Sequence, residues 1–183
     1  MRIAFAVLVL WTSAAFAGER FGDKGTIAPS GTVSLGRFSS GSNGTSGSLE
    51  PGAMVFLADG FAVGGSALLF YSTGNGFDFV SYGIAPSVGL NLWARERLSF
   101  FPQLSLQLIR SQVTTGGDLA LTGLTWSLYV PALFHVTPHF FIGLGPSLTG
   151  TVASRATGSS PSGLILGLNT GLVLFNSVIG GWF

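Results

Sequence analysis

From Val80 to Leu92 the chain keeps a period of two. Val80, Tyr82, Ile84, Pro86, Val88, Leu90 and Leu92 fall on one face, and Ser81, Gly83, Ala85, Ser87, Gly89 and Asn91 on the other. A β-strand points successive side chains to opposite sides, so this is one apolar wall and one wall of small groups. The pattern returns along the chain. Leu98, Phe100, Leu104, Leu106 and Leu108 oppose Ser99, Gln103, Ser105 and Gln107. Leu124, Trp126, Leu128, Val130 and Phe134 oppose Thr125, Ser127, Tyr129 and His135. Phe140, Ile142, Leu144 and Leu148 oppose Gly143, Gly145, Ser147 and Thr149, and Leu164 to Leu174 repeat the scheme against Gly163, Gly167, Asn169 and Gly171. Stretches near 27–38, 49–58 and 61–71 are compatible with it, which makes eight strands.

Alternation alone also suits a soluble sandwich or a lipocalin-type barrel. The second face decides between them, because it carries Gly, Ala, Ser, Thr and Asn where a soluble sheet would present Lys and Glu. Only 8% of residues are charged, against roughly 25% in soluble domains, and mean hydropathy is +0.58. Disorder requires the opposite composition. The implied solvent is a membrane. Beyond residue 17 no window has the length and apolarity of a spanning helix. In hydrocarbon every backbone polar group must be satisfied internally, which leaves a closed barrel. Three links are tight, at Ala58-Asp59-Gly60, Ala94 to Arg97 and Val136 to His139; four are long and polar, at about 39–48, 72–79, 111–122 and 153–162. They alternate, as short periplasmic turns and long external loops do. The expected fold is all-β, an eight-stranded antiparallel up-and-down transmembrane β-barrel.

Ahead of it, Arg2 and the apolar run Ile3 to Trp11 precede Ala15-Phe16-Ala17, a small-x-small cleavage pattern. Residues 1–17 therefore read as a signal peptide cut between Ala17 and Gly18, residues 18–26 as a periplasmic segment, and 27–183 as the barrel. Net charge is +1 and cysteine is absent, so there is no basic surplus for nucleic acid, and disulfides, thiolate metal sites and a lipoprotein anchor are excluded. Pro51, Pro86 and Pro131 each stand eight residues before a tight-turn position, at Asp59, Ala94 and His139. Proline cannot donate to a ladder, so bulges or missing bonds are expected there.

The leader ending Ala15-Phe16-Ala17, the eight alternating runs and the terminal Trp182-Phe183 resemble the OmpA/OmpW-like family of small outer-membrane β-barrels over residues 25–183. The resemblance implies a bacterial outer-membrane location, contact with outer-membrane lipid, and a C-terminal Phe183 that the barrel-assembly machinery reads during biogenesis. The family's terminal Phe faces outward, whereas strict alternation from Leu164 would turn Phe183 inward. Either a bulge at Asn176-Ser177 or Gly180-Gly181 resets the register, or the strand stops near Phe175 and the rest is a tail.

Chemistry is sparse. His135 and His139 flank a turn and read as interfacial residues rather than metal ligands. No Gly-x-Ser-x-Gly elbow occurs, and no catalytic residue, cofactor or metal site is expected. Tyr71, Tyr82, Trp93, Trp126 and Trp182 are candidates for aromatic belts at the headgroup level. Arg37, Glu50 and Arg110 are candidate lumen or rim charges, with Glu50 the inward acid. The expected role is structural or surface-interacting, without catalysis, in a monomer. The alternative is an OmpW-like passive conduit for small hydrophobic molecules with a lateral exit.

Overall fold

The computed structural model describes residues 20–38, 44–74, 77–113, 119–157 and 164–183. The proposed cleavage site at Ala17 and Gly18 lies outside them. Eleven strand segments follow a short N-terminal turn region: β1 (Ile27–Phe38), β2 (Gly44–Ala58), β3 (Phe61–Gly74), β4 (Phe77–Leu90), β5 (Leu92–Arg95), β6 (Leu98–Phe100), β7 (Gln103–Val113), β8 (Leu119–Tyr129), β9 (Ala132–Thr137), β10 (Phe140–Thr157) and β11 (Leu164–Gly181). β4 with β5, β6 with β7, and β8 with β9 are single staves, each interrupted by one or two residues, so the wall has eight. Every neighbouring pair is antiparallel, and β11 pairs both β10 and β1, which closes the ring.

The side chains sort by parity. On the outer wall Ile84 is 60% exposed, Leu104 50% and Leu144 52%, while the lumen-facing Ser99, Ser127 and Ser147 are buried. In water this polarity would be inverted. In a bilayer, each such side chain taken into hydrocarbon stabilises by roughly 1.5–3 kcal/mol. The inward glycines make room for rings and branched side chains crossing from neighbouring staves. A Cβ at Gly89 would lie 2.9 Å from the Phe101 ring, and one at Gly143 2.5 Å from a Leu133 methyl.

The polar links are shorter than the composition suggests. The ladder continues from Gly44↔Gly74 to Gly74↔Phe77, so the 72–79 link shrinks to residues 75–76. Ser, Thr and Gly in these stretches are the polar upper ends of strands that outgrow the apolar band. The three prolines interrupt the ladder without shifting it. Around Pro51 pairing with β3 skips from Leu49↔Leu69 to Gly52↔Ser66, and around Pro86 pairing with β7 skips from Ile84↔Leu108 to Ser87↔Ser105. Pro131 separates β8 from β9, yet Tyr129↔Ser147 and Ala132↔Leu144 keep one register. No bulge forms at any of them, because only the missing donor is lost.

The bulge lies in the last strand, two residues before the expected place. Between Gly145↔Asn176 and Ser147↔Val173, one residue of β10 stands opposite two of β11. Facing changes there. Leu172 is outward above the shift; below it Ile179 is outward, and Val178 and Trp182 are buried inward. Phe183 joins Phe140 and Ile179 along one outer groove. The chain thus runs as strand through Gly181, with no separate tail.

Closure is uneven. β1 meets β11 at Ser30↔Gly180 and Gly31↔Ile179, below which Ile27 and Phe183 exchange backbone bonds of 2.9 and 3.1 Å. From Thr32 to Phe38, β1 pairs β2 but has no ladder partner on β11 among the described residues.

Leu104→Arg, at mid-height on the outer wall, is expected to lower unfolding free energy in lipid vesicles by about 2–4 kcal/mol. Ser105→Ala, one position away on the lumen face, should stay within about 1 kcal/mol. Urea titration of both variants in liposomes is the check; equal losses would mean that the two faces do not differ in solvent.

Candidate functional site

The most constructed part of the molecule is the turn end of the barrel, where the N-terminal segment folds into the mouth. Phe21 has no exposed surface. Its ring centroid lies 5.1 Å from Phe56, 5.2 Å from Phe141, and 5.4 Å from each of Phe101, Trp182 and His135. Most of these contacts are edge-on or tilted, the arrangement that aromatic quadrupoles favour. The stopper is tied by its backbone as well. Asn91 Nδ2 and Trp93 Nε1 both donate to the Phe21 carbonyl, at 2.9 and 3.1 Å. Gly60 N–H donates to Gly22 O at 2.7 Å, Gly25 N–H to Phe56 O at 2.8 Å, and Lys24 N–H to Asp59 Oδ1 at 3.0 Å. Gly22 has φ +104° and no space for a Cβ, which would lie 2.6 Å from Asn91 Nδ2. Only glycine turns the chain this tightly here.

From Arg20 onward, the segment expected at 18–26 packs into the mouth of the ring. A buried phenylalanine and paired backbone groups hold that stretch inside the ring. His135 is not interfacial. It is 6% exposed, stacked on Trp93 at 4.6 Å and 28°, with Nε2 2.9 Å from Ser99 Oγ. That contact has the spacing of a nucleophile and its base. Yet Ser99 is fully buried, and His135 Nδ1 has no hydrogen-bond partner among the described residues, so no acid orients the ring. The pair is packing. His139 stays at the surface, its Nδ1 3.2 Å from Trp182 O. Among the described residues no group of three His, Asp or Glu is placed to hold a metal.

Two belt candidates move inside. Trp182 is 4% exposed, in the stopper cluster, because the β11 bulge turns it inward. Trp93 shares the inward parity of Asn91 and caps the mouth, half exposed. Tyr71, Tyr82 and Trp126 stand on outward-facing positions, with Tyr71 and Tyr82 exposed and Trp126 laid over Gly150. The charges part company too. Glu50 faces the lumen and accepts from Ser66 Oγ at 2.8 Å. Arg110, in register with Tyr82, is exposed on the outer face with Leu104 and Leu108, away from the lumen. Of Arg37 the backbone is described, opposite Thr45.

Two spaces flank the stopper. Below it, a recess of about 530 Å³ opens at the turn end between Arg20, Trp93, Arg95, Arg97, His135 and Trp182. Above it, a chamber of about 170 Å³ occupies the mid-lumen, lined by hydroxyl and amide side chains. The wall, the small lumen face and the stopped end agree on one architecture. The fold is that of an outer-membrane β-barrel. Among solved structures the chain is similar to Neisserial surface protein A, at 16% identity and TM-score 0.53, covering 84% of this chain and 94% of that one. It also matches the translocator domain of the autotransporter NalP from Neisseria meningitidis, at 12% identity and TM-score 0.49 over 86% of this chain and 60% of that domain. No family model and no curated protein matches it.

Phe21 and the inward aromatics were legible only in part. Phe100-Phe101 and Phe140-Phe141 each put a second phenylalanine on the small-residue face, a signal that something fills the lumen there. Nothing in the pattern pointed to Phe21 itself. Phe21→Ala is expected to cost about 3–5 kcal/mol and to expose Arg20 and Lys24 to trypsin in the folded barrel. Trp93→Phe, which keeps the ring and loses one donor, should cost about 0.5–1.5 kcal/mol. Limited proteolysis and thermal unfolding in detergent read both; protection of Arg20 and Lys24 in Phe21→Ala would remove the stopper assignment.

Proposed function

We propose that this chain is an integral barrel of the bacterial outer membrane with a structural or surface-interacting role and no catalysis, closed to general diffusion. The observation that carries this is the stopper: Phe21 sealed among Phe56, Phe101, Phe141 and Trp182 at the turn end. A ring of eight staves is just wide enough to be filled by its own side chains, and here the filling is aromatic. Cleavage after Ala17 would leave Phe21 as the fourth residue of the mature chain, so the freed N-terminus becomes the stopper. Tyr71, Tyr82 and Trp126 are proposed as belt residues, Phe183 as the signal read by the barrel-assembly machinery, and the protein as a monomer within an OmpA/OmpW-like group.

A second reading, a passive conduit for small hydrophobic molecules, is favoured by the seam. Above Gly31 the β1 edge lacks β11 as a ladder partner among the described residues. An outer groove of about 280 Å³ between Leu49, Pro51, Ser177 and Ile179 reaches the same Ser30–Thr32 stretch that lines the mid-lumen chamber.

The purified protein should need detergent, migrate differently on gels before and after heating, and give no resolved conductance in planar bilayers. Deleting residues 18–25 should produce channel openings. Migration unchanged by heating would end the barrel reading, and steady conductance of the intact chain would end the closed one. Accelerated uptake of small apolar compounds without conductance would establish the lateral conduit instead.

A further inference from the structure

Glu50 sits in the wall of the mid-lumen chamber and accepts from one hydroxyl, Ser66 Oγ, at 2.8 Å. No lysine, arginine or histidine lines that chamber among the described residues. A carboxylate enclosed by low-dielectric walls is costly unless neutralised or paired, and such walls concentrate its field on whatever enters. Around it stand neutral oxygens rather than competing charges: Gln103, Gln107, Ser105, Ser127 and Tyr129. The Tyr129 hydroxyl donates to Asn176 O at 3.0 Å, which leaves its oxygen free to accept. On the turn side the chamber ends at Met54, whose Sδ lies 3.2 Å from Ser87 Oγ, with the aromatic stopper beyond. The chamber is therefore blind at that end. Toward the loop end, Phe70 and Phe79 share the lumen face, their rings 5.9 Å apart at 73°. Phe70 is paired with Ser48, one inward position above Glu50.

The geometry points to a binding site for a small organic monocation, a primary ammonium of a few carbon atoms. Its charged head pairs with Glu50, and its short apolar tail lies toward the Phe70–Phe79 pair. One carboxylate sets a single positive charge. The surrounding acceptors suit an N–H donor, since an ammonium offers three hydrogens and accepts none, and phenylalanine faces attract cations on the approach. The volume of about 170 Å³ limits the guest to a small one. The site needs no pore, so it stands or falls separately from any conductance.

The test uses the full mature barrel in a zwitterionic detergent at low salt, with n-butylammonium as probe and n-butanol as its neutral counterpart, read by saturation-transfer NMR. Butylammonium should bind saturably in the millimolar range and butanol at least about tenfold more weakly, the factor that about 1.4 kcal/mol supplies. Glu50→Gln should weaken the cation about tenfold with the heat-shift migration intact. Gln107→Lys, which brings an ammonium into the same chamber as Glu50, should abolish the signal by an independent route. Equal binding of cation and alcohol, unchanged binding in folded Glu50→Gln or Gln107→Lys, or displacement of butylammonium by sodium at equal concentration would each overturn the assignment.

Discussion

A wall one strand thick between lipid and lumen has no solvent for its backbone, so every N–H and C=O in the membrane must be used inside the wall. The closing contact of this barrel is the Ile27–Phe183 exchange with the Ser30 and Gly31 pairs beside it. It lies next to Thr26, whose N–H bonds Asp23 and whose carbonyl accepts from Phe56. Ring closure and mouth closure are thus one structure. The strand that completes the cylinder is reached through the turn that stops it. Among the described residues the same seam lapses above Gly31, where β1 remains paired to β2 alone.

Within that constraint the two faces divide the chemistry. Outward residues are large because lipid rewards area. Inward residues are small because eight staves leave little width, and glycines such as Gly89 and Gly143 mark where a side chain from a neighbouring stave crosses. Where rings enter, the lumen is solid; where serine, threonine and glutamine persist, it holds a polar chamber around Glu50. Prolines interrupt single ladders without disturbing facing, whereas the displacement in β11 between Val173 and Asn176 turns Trp182 into the stopper cluster.

The staves, their facing and their tight turns were readable from residues alone, because a period of two is a local property and lipid enforces it along the whole wall. Glu50 was readable as an inward acid for the same reason. The belt positions Trp93 and Trp182 were not. Trp182 depends on a bulge that only the pairing with β10 reveals; Trp93 has the inward parity of Asn91, but its stacking partner His135 comes from a stave far along the chain.

By itself, then, the sequence determined an outer-membrane-type barrel of eight staves with an apolar outside and a small, polar inside, since alternation and low charge admit no other solvent. The tertiary structure decided how the cylinder ends. Phe21 lies in a segment without period or motif, and its partners Phe56, Asn91, Phe101, Phe141 and Trp182 come from five separate places in the chain. No local pattern encodes that meeting. Curling the sheet into a ring brings them within a few ångströms, and the stopper exists only once the ring has closed.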